Sequence, residues 1–178
     1  QAGHEVVAIL TREQAHVGRK KVLTASPVSQ RGTELGIPVI EANSISTGVL
    51  EYIKELGADL AVVVAYGVIL KKDALDAMPL GWYNLHFSVL PRWRGAAPVQ
   101  RSIEAGDKET GVTLFRLDEG MDTGQIVAIA QAQIQPNESA DDLLSRLGKV
   151  AVTVINAELP SLFAGTAKLS SQTGEATY

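Results

Sequence analysis

Seven consecutive residues, LAVVVAY (60–66), do most to limit what this chain can fold into. A strand that is apolar on both faces needs cover on both, which suits an interior strand between layers of helices. Other strand-like runs fall at 6–10, 37–40, 82–87, 112–117 and 125–134, most of them rich in Val and Ile and bounded by Gly, Pro or charge. Among the earlier runs, 46–56, 71–77 and 96–105 read as helices. A longer helix is expected over 139–164, where Leu143, Leu144, Leu147, Val150, Val154 and Ile155 recur at helical spacing. Ser139 and Asp142 give it a start resembling a capping box. Strands alternating with helices predict an α/β fold with a mainly parallel sheet and helices on both faces. The short loop DEGMDTG (118–124) between the last two strands predicts an antiparallel or bent edge unit.

Bulk properties narrow the class. The 178 residues suit one domain with a real core, and 46% hydrophobic with 20% charged residues suits a soluble globular chain. A net charge of -4 argues against a general nucleic-acid coat. The charge is uneven: residues 1–31 hold five basic and two acidic residues, leaving eleven basic and eighteen acidic residues for the rest. Such a basic segment is either a solvated loop or a local grip on a phosphate-bearing partner. The absence of cysteine removes disulfides, thiolate metal sites and cysteine nucleophiles, and it fits a cytoplasmic protein. The longest apolar run, residues 60–70, falls short of the roughly 20 needed to span a membrane, so no membrane partner is expected. Neither G-x-G-x-x-G nor G-x-x-x-x-G-K-[ST] occurs, so nothing points to NAD or ATP.

The chemistry concentrates in NLHFSVLP (84–91). Strand alternation puts Asn84, His86 and Ser88 on one face and Tyr83, Leu85 and Phe87 on the other. Pro91 stops the run, so His86 stands near the carboxyl end of its strand, where open α/β sheets hold ligands. If strands 82–87 and 112–117 are neighbours, Asp122 can reach His86. A carboxylate beside an imidazole favours the protonated ring and orients it, and Asn84 adds an amide N–H. Together they could stabilise a developing oxyanion and move a proton. A histidine on a strand is also often a satisfied core residue. Too few ligands gather for a metal, and Ser88 lacks a nucleophile elbow. Downstream, PRWRGAAPVQR (91–101) sets Arg92, Arg94 and Arg101 around Trp93, which reads equally as a phosphate- and base-binding loop or as a surface loop opening a helix.

The stretch NLHFSVLPRWRGAAPVQRSIEAGDKETGVT with the later DEGMDTG resembles the methionyl-tRNA formyltransferase family among the formyltetrahydrofolate-dependent transferases. The N-x-H…S-L-L-P and D-x-G elements are shared across that superfamily, whereas P-x-W-R-G-A-A-P is more selective. VGRKKVLTASPV (17–28) resembles the family's basic insertion loop, and VVVAYGVIL (62–70) its strand and loop beside the folate pocket. The resemblance implies a Rossmann-like catalytic domain over residues 1–168, with 169–178 starting a linker to a C-terminal β-barrel. It implies transfer of the formyl group of 10-formyltetrahydrofolate to the α-amine of methionine on initiator tRNA, by a cytoplasmic monomer without a metal. Asn84, His86 and Asp122 become the catalytic trio. Asn84 and protonated His86 would stabilise the formyl oxygen, and Asp122 would hold His86 and help remove the proton. Folate would lie along Ala65, Tyr66, Gly67, Val68, Ile69 and Leu70, with Ser88, Leu90, Pro91, Asp118, Glu119 and Gly120. Arg19, Lys20 and Lys21 would grip the tRNA acceptor arm, with Arg92 and Arg94 near its end.

The chain departs from the family pattern in three places. Phe87 stands where a small residue is usual, pointing off the catalytic face. The family's first strand and its glycine-bearing loop do not precede GHEVV, and no barrel domain follows, so a fragment is expected, poorly stable and weakly active. Three other activities remain open: formylation of a small-molecule amine such as glycinamide ribonucleotide or an amino sugar, hydrolysis of formyltetrahydrofolate, and folate or RNA binding without catalysis.

Overall fold

In the computed structural model, which describes residues 3–178, the chain divides between Ala58 and Asp59 into two units. In the first, β1 (Ile9–Thr11) pairs in parallel with β4 (Val39–Glu41), Ile9 opposite Val39. The helix α1 (Pro27–Glu34) leads into β4. Ser26 caps it by accepting a hydrogen bond from the Ser29 amide at 3.0 Å, and a proline pre-set for helix entry follows. At Gly32 a Cβ would stand 2.7 Å from Val39 Cγ2 and 2.9 Å from Ile9 Cδ1, so only glycine lets the helix close on both strands. This helix went unread in the sequence because its buried positions are Ser29 and Gly32, which leave no apolar period. The basic segment is a two-stranded antiparallel hairpin, β2 (Ala15–Val17) and β3 (Val22–Thr24), turning through Gly18 to Lys21. Ser46 caps α2 (Thr47–Glu55), which buries Leu50 and Ile53.

The second unit is built on a four-stranded sheet in the order β5 (Ala61–Val63), β6 (Trp82–His86), β7 (Glu109–Arg116), β8 (Ile126–Gln133). The β5·β6 pair is parallel; β6·β7 and β7·β8 are antiparallel. Parallel pairing is confined to β1·β4 and β5·β6, and from β6 onward the pairings are antiparallel, which makes the sheet mixed. The apolar run 60–66, expected as an interior strand covered on both faces, contributes only the three residues of β5 at the edge of this sheet, with Val62 and Val64 exposed. On one face Tyr83 and Leu85 join Val112 and Leu114 of β7 against Val99 of α4 (Pro98–Glu104) and Leu143, Leu147, Ala151, Val154 and Leu162 of α5 (Ala140–Phe163). Phe87 packs against this same cluster, off the face of His86 as alternation required. The Ser139 capping box that opens α5 is formed in both directions. The opposite face carries Trp82, Asn84 and His86. Trp82 donates its indole N–H to the Ala74 carbonyl of α3 (Lys72–Leu75) at 2.8 Å. On this face Phe115 forms a smaller core with Leu90 and Ile126. Among the described residues no helix is long and apolar enough to cross a membrane.

Candidate active site

Asn84 is paired on both sides, opposite Val63 of β5 and Phe115 of β7, and His86 beyond it pairs with Thr113 of β7 alone. His86 is only 6% exposed. Its Nε2 lies 2.7 Å from the Trp93 carbonyl oxygen. A carbonyl only accepts, so Nε2 carries the hydrogen and donates it. The other ring nitrogen, Nδ1, faces Asp122 Oδ2 at 3.7 Å, an ion-pair distance when the ring is charged. The same carboxylate oxygen accepts from the Gly95 amide at 2.7 Å. Phe115 meets the imidazole edge-on, with centroids 6.4 Å apart and planes at 84°, which restrains the ring. Beside them, Asn84 Oδ1 is buried without a hydrogen-bond partner among the described residues. Buried polar atoms are nearly always paired, so this one suits a ligand that supplies the partner. Turned over, the same amide would offer N–H instead.

Asp122 reaches this place by an indirect route. Because β7 runs antiparallel to β6, Arg116 lies opposite Tyr83, at the entry end of β6. The loop after β7 must therefore fold back over roughly 10 Å, the rise of three strand residues, to bring Asp122 to His86. Asp118 Oδ1 starts the fold-back by accepting from the Gly120 amide (3.0 Å) and the Thr123 hydroxyl (2.6 Å). Asp122 then takes a left-handed φ of 52°, uncommon for a side chain with a Cβ. The loop after His86 is similarly constrained, with Trp93, Gly95 and Ala97 at φ of 60°, 84° and 59°. Ser88 donates its hydroxyl to the Arg92 carbonyl at 2.5 Å. Thr113 donates to the Ser88 carbonyl and accepts from the Leu90 amide.

The trio expected from the sequence is thus brought together, and other expected residues take different places. Ser88 and Leu90 are 0% and 3% exposed, and their side chains shape the loop from inside. Pro91 follows them across a cis peptide bond and is half-buried. Asp118, Glu119 and Gly120 line a cavity of about 430 Å³ with Lys72, Leu75, Asp76, Gly81, Trp82, Arg116 and Leu117. The cavity sits at the entry end of β6, whereas His86 stands at the exit end, and the 118–122 loop borders both. Residues 65–70 follow β5 and do not line that cavity; Ala65 has a φ of 50°, Ile69 is 77% exposed and Leu70 is buried.

The arginines expected at a tRNA end have partners of their own. Arg92 grips Asp107 through Nε and Nη2, at 2.9 and 2.7 Å, and lies 4.4 Å over the Trp93 ring. Trp93 donates its indole N–H to the same carboxylate. The Arg92 hydrogen bond holds the Asp107 carboxyl below its ordinary range, against the opposing effect of partial burial. Arg94 donates twice to Gln172 Oε1, at 3.2 and 2.7 Å. In the first unit, Arg19, Lys20 and Lys21 are exposed on the β2–β3 turn. What sequence reading missed here is mostly main chain: the Trp93 carbonyl and the Gly95 amide carry no residue-type signal, and Asp107 follows a helix end with no motif around it.

Comparison with known proteins places the chain in a family. A 52% identical relative, the methionyl-tRNA formyltransferase of Bifidobacterium adolescentis, aligns with 89% of this chain and 49% of its own length. The chain spans about half the length of the curated relatives it matches. Among solved structures, phosphoribosylglycinamide formyltransferase from Bacillus halodurans superposes with a TM-score of 0.77 at 26% identity, over 91% of this chain and 82% of that one. A formyltransferase from Anoxybacillus kamchatkensis, solved with a UDP-linked formamido sugar and tetrahydrofolate, shares the fold at a TM-score of 0.68 and 21% identity, over 96% and 84% of the two chains. The formyl transferase family model matches residues 1–159, and with the α/β core and its parallel pairings in place the chain belongs to the formyl transferase family.

Proposed function

We propose that this chain transfers the formyl group of 10-formyltetrahydrofolate to the α-amine of methionine on initiator tRNA, with Asn84, His86 and Asp122 at the reacting atoms. The observation that carries the reading is the trio itself: a buried imidazole held between the Trp93 carbonyl and the Asp122 carboxylate, beside an unpartnered Asn84 oxygen. The identity to a relative named for this reaction supports the same acceptor. When an amine attacks a formyl carbon, charge grows on the formyl oxygen and the nitrogen must shed a proton; the bond from the formyl carbon to the folate N10 then breaks, and N10 takes up a proton as tetrahydrofolate leaves. His86 spends Nε2 on Trp93, so its Nδ1 edge, together with Asp122, faces the chemistry. Charged donors aimed at the growing oxyanion stabilise it, and the Asp122 carboxylate is the nearby proton acceptor. Asn84 orients the reacting groups through whichever end of its amide meets them. The folate donor would rest on the main chain of 65–70 and of Asp118 to Gly120, whose exposed side chains border the cavity. Arg19, Lys20 and Lys21 would hold tRNA phosphates. Arg92 and Arg94 would stand near the acceptor end while bracing the site loop, since each guanidinium uses two of its five N–H donors on Asp107 or Gln172. The working protein is read as a cytoplasmic monomer.

The fold is shared with a phosphoribosylglycinamide formyltransferase, which favours a second reading with a small-molecule amine as acceptor. The test is formyl transfer by the intact protein to methionyl-initiator tRNA and to small amines, in wild type and His86→Ala. Transfer to the tRNA, falling by about a hundredfold or more in the variant, is expected of a positioned acid–base group. Transfer only to a small amine would overturn the acceptor, and folate binding without any transfer would overturn the activity.

A further inference from the structure

The segment 170–177, within the stretch 169–178 that the resemblance implies to start a linker, is hydrogen-bonded to both loops that hold His86. Ser170 exchanges two main-chain hydrogen bonds with Ile126, at 2.8 and 2.9 Å. Gln172 uses its whole amide. Its Nε2 donates to the Asp122 carbonyl at 2.8 Å and the Gly124 carbonyl at 2.9 Å, while Oε1 accepts twice from Arg94. An amide has two donors and two acceptor positions, so none is left over. Farther along, Thr177 Oγ1 accepts from the Trp93 amide at 2.9 Å and the Thr177 carbonyl accepts from the Arg94 amide at 2.8 Å.

The two residues pinned in this way are the ones that meet the two ring nitrogens of His86. Asp122 offers its carboxylate to Nδ1, and Trp93 offers its carbonyl to Nε2. Both take left-handed φ values, a conformation that persists in residues with a Cβ only when neighbours enforce it. We propose that residues 170–177 are a strap that positions Asp122 and the Trp93 carbonyl against His86, with Gln172 as the positioning residue. As a statement about formyl transfer this rests on the function proposed above; as a statement about His86 it does not.

The choice of glutamine follows from the geometry. Asparagine is one methylene too short to span from Arg94 to the two carbonyls. Glutamate keeps a partner for Arg94 but has no hydrogens for the Asp122 and Gly124 carbonyls, and it faces them with like partial charge. The intact protein would be compared as wild type, Gln172→Ala, Gln172→Glu and Thr177→Val. The measurements are single-turnover formyl transfer at saturating substrates, tetrahydrofolate affinity, thermal unfolding and the ¹⁵N shifts of the His86 ring. Both Gln172 variants are expected to transfer formyl about tenfold or more slowly, as a small misplacement of reacting groups does. Folate affinity is expected to stay within about twofold, the split that marks loss in the transition state rather than in binding. The His86 ring shifts move in all three variants, Thr177→Val included should a Gln172 variant fail to fold. A lowered unfolding midpoint with an unchanged rate per folded molecule and unchanged ring shifts would overturn the strap. If wild type transfers no formyl group, the functional reading falls by itself and the ring shifts alone decide: movement supports the strap, and no movement removes it.

Discussion

At the scale of single residues, the site depends on partners that hold side chains still rather than on the number of charges present. Arg92 illustrates this. Its guanidinium is fitted to Asp107 in a two-pronged grip and stacked on Trp93, so it fixes the loop carrying the Trp93 carbonyl. Because the hydrogen bond from Arg92 depresses the Asp107 carboxyl below its ordinary range, the linkage has a definite sign. The stabilisation from this pair is fully present above the unfolded carboxylate value of about 4 and is lost as pH falls through the lower folded value. Asp107→Asn is therefore expected to unfold more easily than wild type at neutral pH, with the gap narrowing in strong acid. Denaturation midpoints at several pH values check this. An equal gap at all pH values would mean that the carboxylate charge contributes nothing.

At the scale of elements, α5 and β7 carry the platform. Leu143 and Leu147 are fully buried, one helical turn apart, against Val112 and Leu114. This packing presses the Tyr83 and Leu85 side of β6 inward and so presents Asn84 and His86 on the other side. Leu147→Ala is expected to cost about 2–5 kcal/mol, the range for a buried leucine leaving a cavity. Denaturant unfolding measures it, and a loss well under 1 kcal/mol would show that the α5 face repacks. The loop after β7 depends on glycine in a different sense. A Cβ on Gly124 would fall 1.7 Å from the Arg116 carbonyl oxygen, so the chain can double back toward His86 only with hydrogen there.

At the scale of the whole molecule, the exposed basic turn and the candidate chemistry belong to different units. The exposed Arg19, Lys20 and Lys21 lie in the first, and the Asn84, His86 and Asp122 group lies in the second. If the acceptor is tRNA, replacing the three basic residues with alanine should weaken tRNA binding and lower the log–log salt slope by roughly 2 to 3, one counterion-release increment for each lost phosphate contact. Folate binding should not change. A salt slope equal to that of wild type would remove the hairpin from the tRNA interface.

Several features were settled by sequence alone, because they depend on local periodicity. Alternation along 82–87 placed Asn84 and His86 on one face and Phe87 on the other, as found. Helical spacing from Leu143 to Ile155 located α5. The apolar run at 60–66 marked the position of β5 but not its surroundings, since β5 is a short edge strand with Val62 exposed. Where periodicity was missing, so was the reading: α1 buries a serine and a glycine, and the three-residue strands of the exposed β2–β3 hairpin are too short to leave a pattern. Tertiary structure alone decided the rest. Only the antiparallel pairing of β7 with β6 shows that Asp122 must double back to reach His86. Only the folded loops show that Arg92 and Arg94 are hydrogen-bonded to Asp107 and Gln172, and that Ser88 is buried. The tail 170–177, polar and without period, has no local signal. Its order comes from hydrogen bonds to residues dozens of positions away, and contacts of that separation do not exist until the sheet has formed.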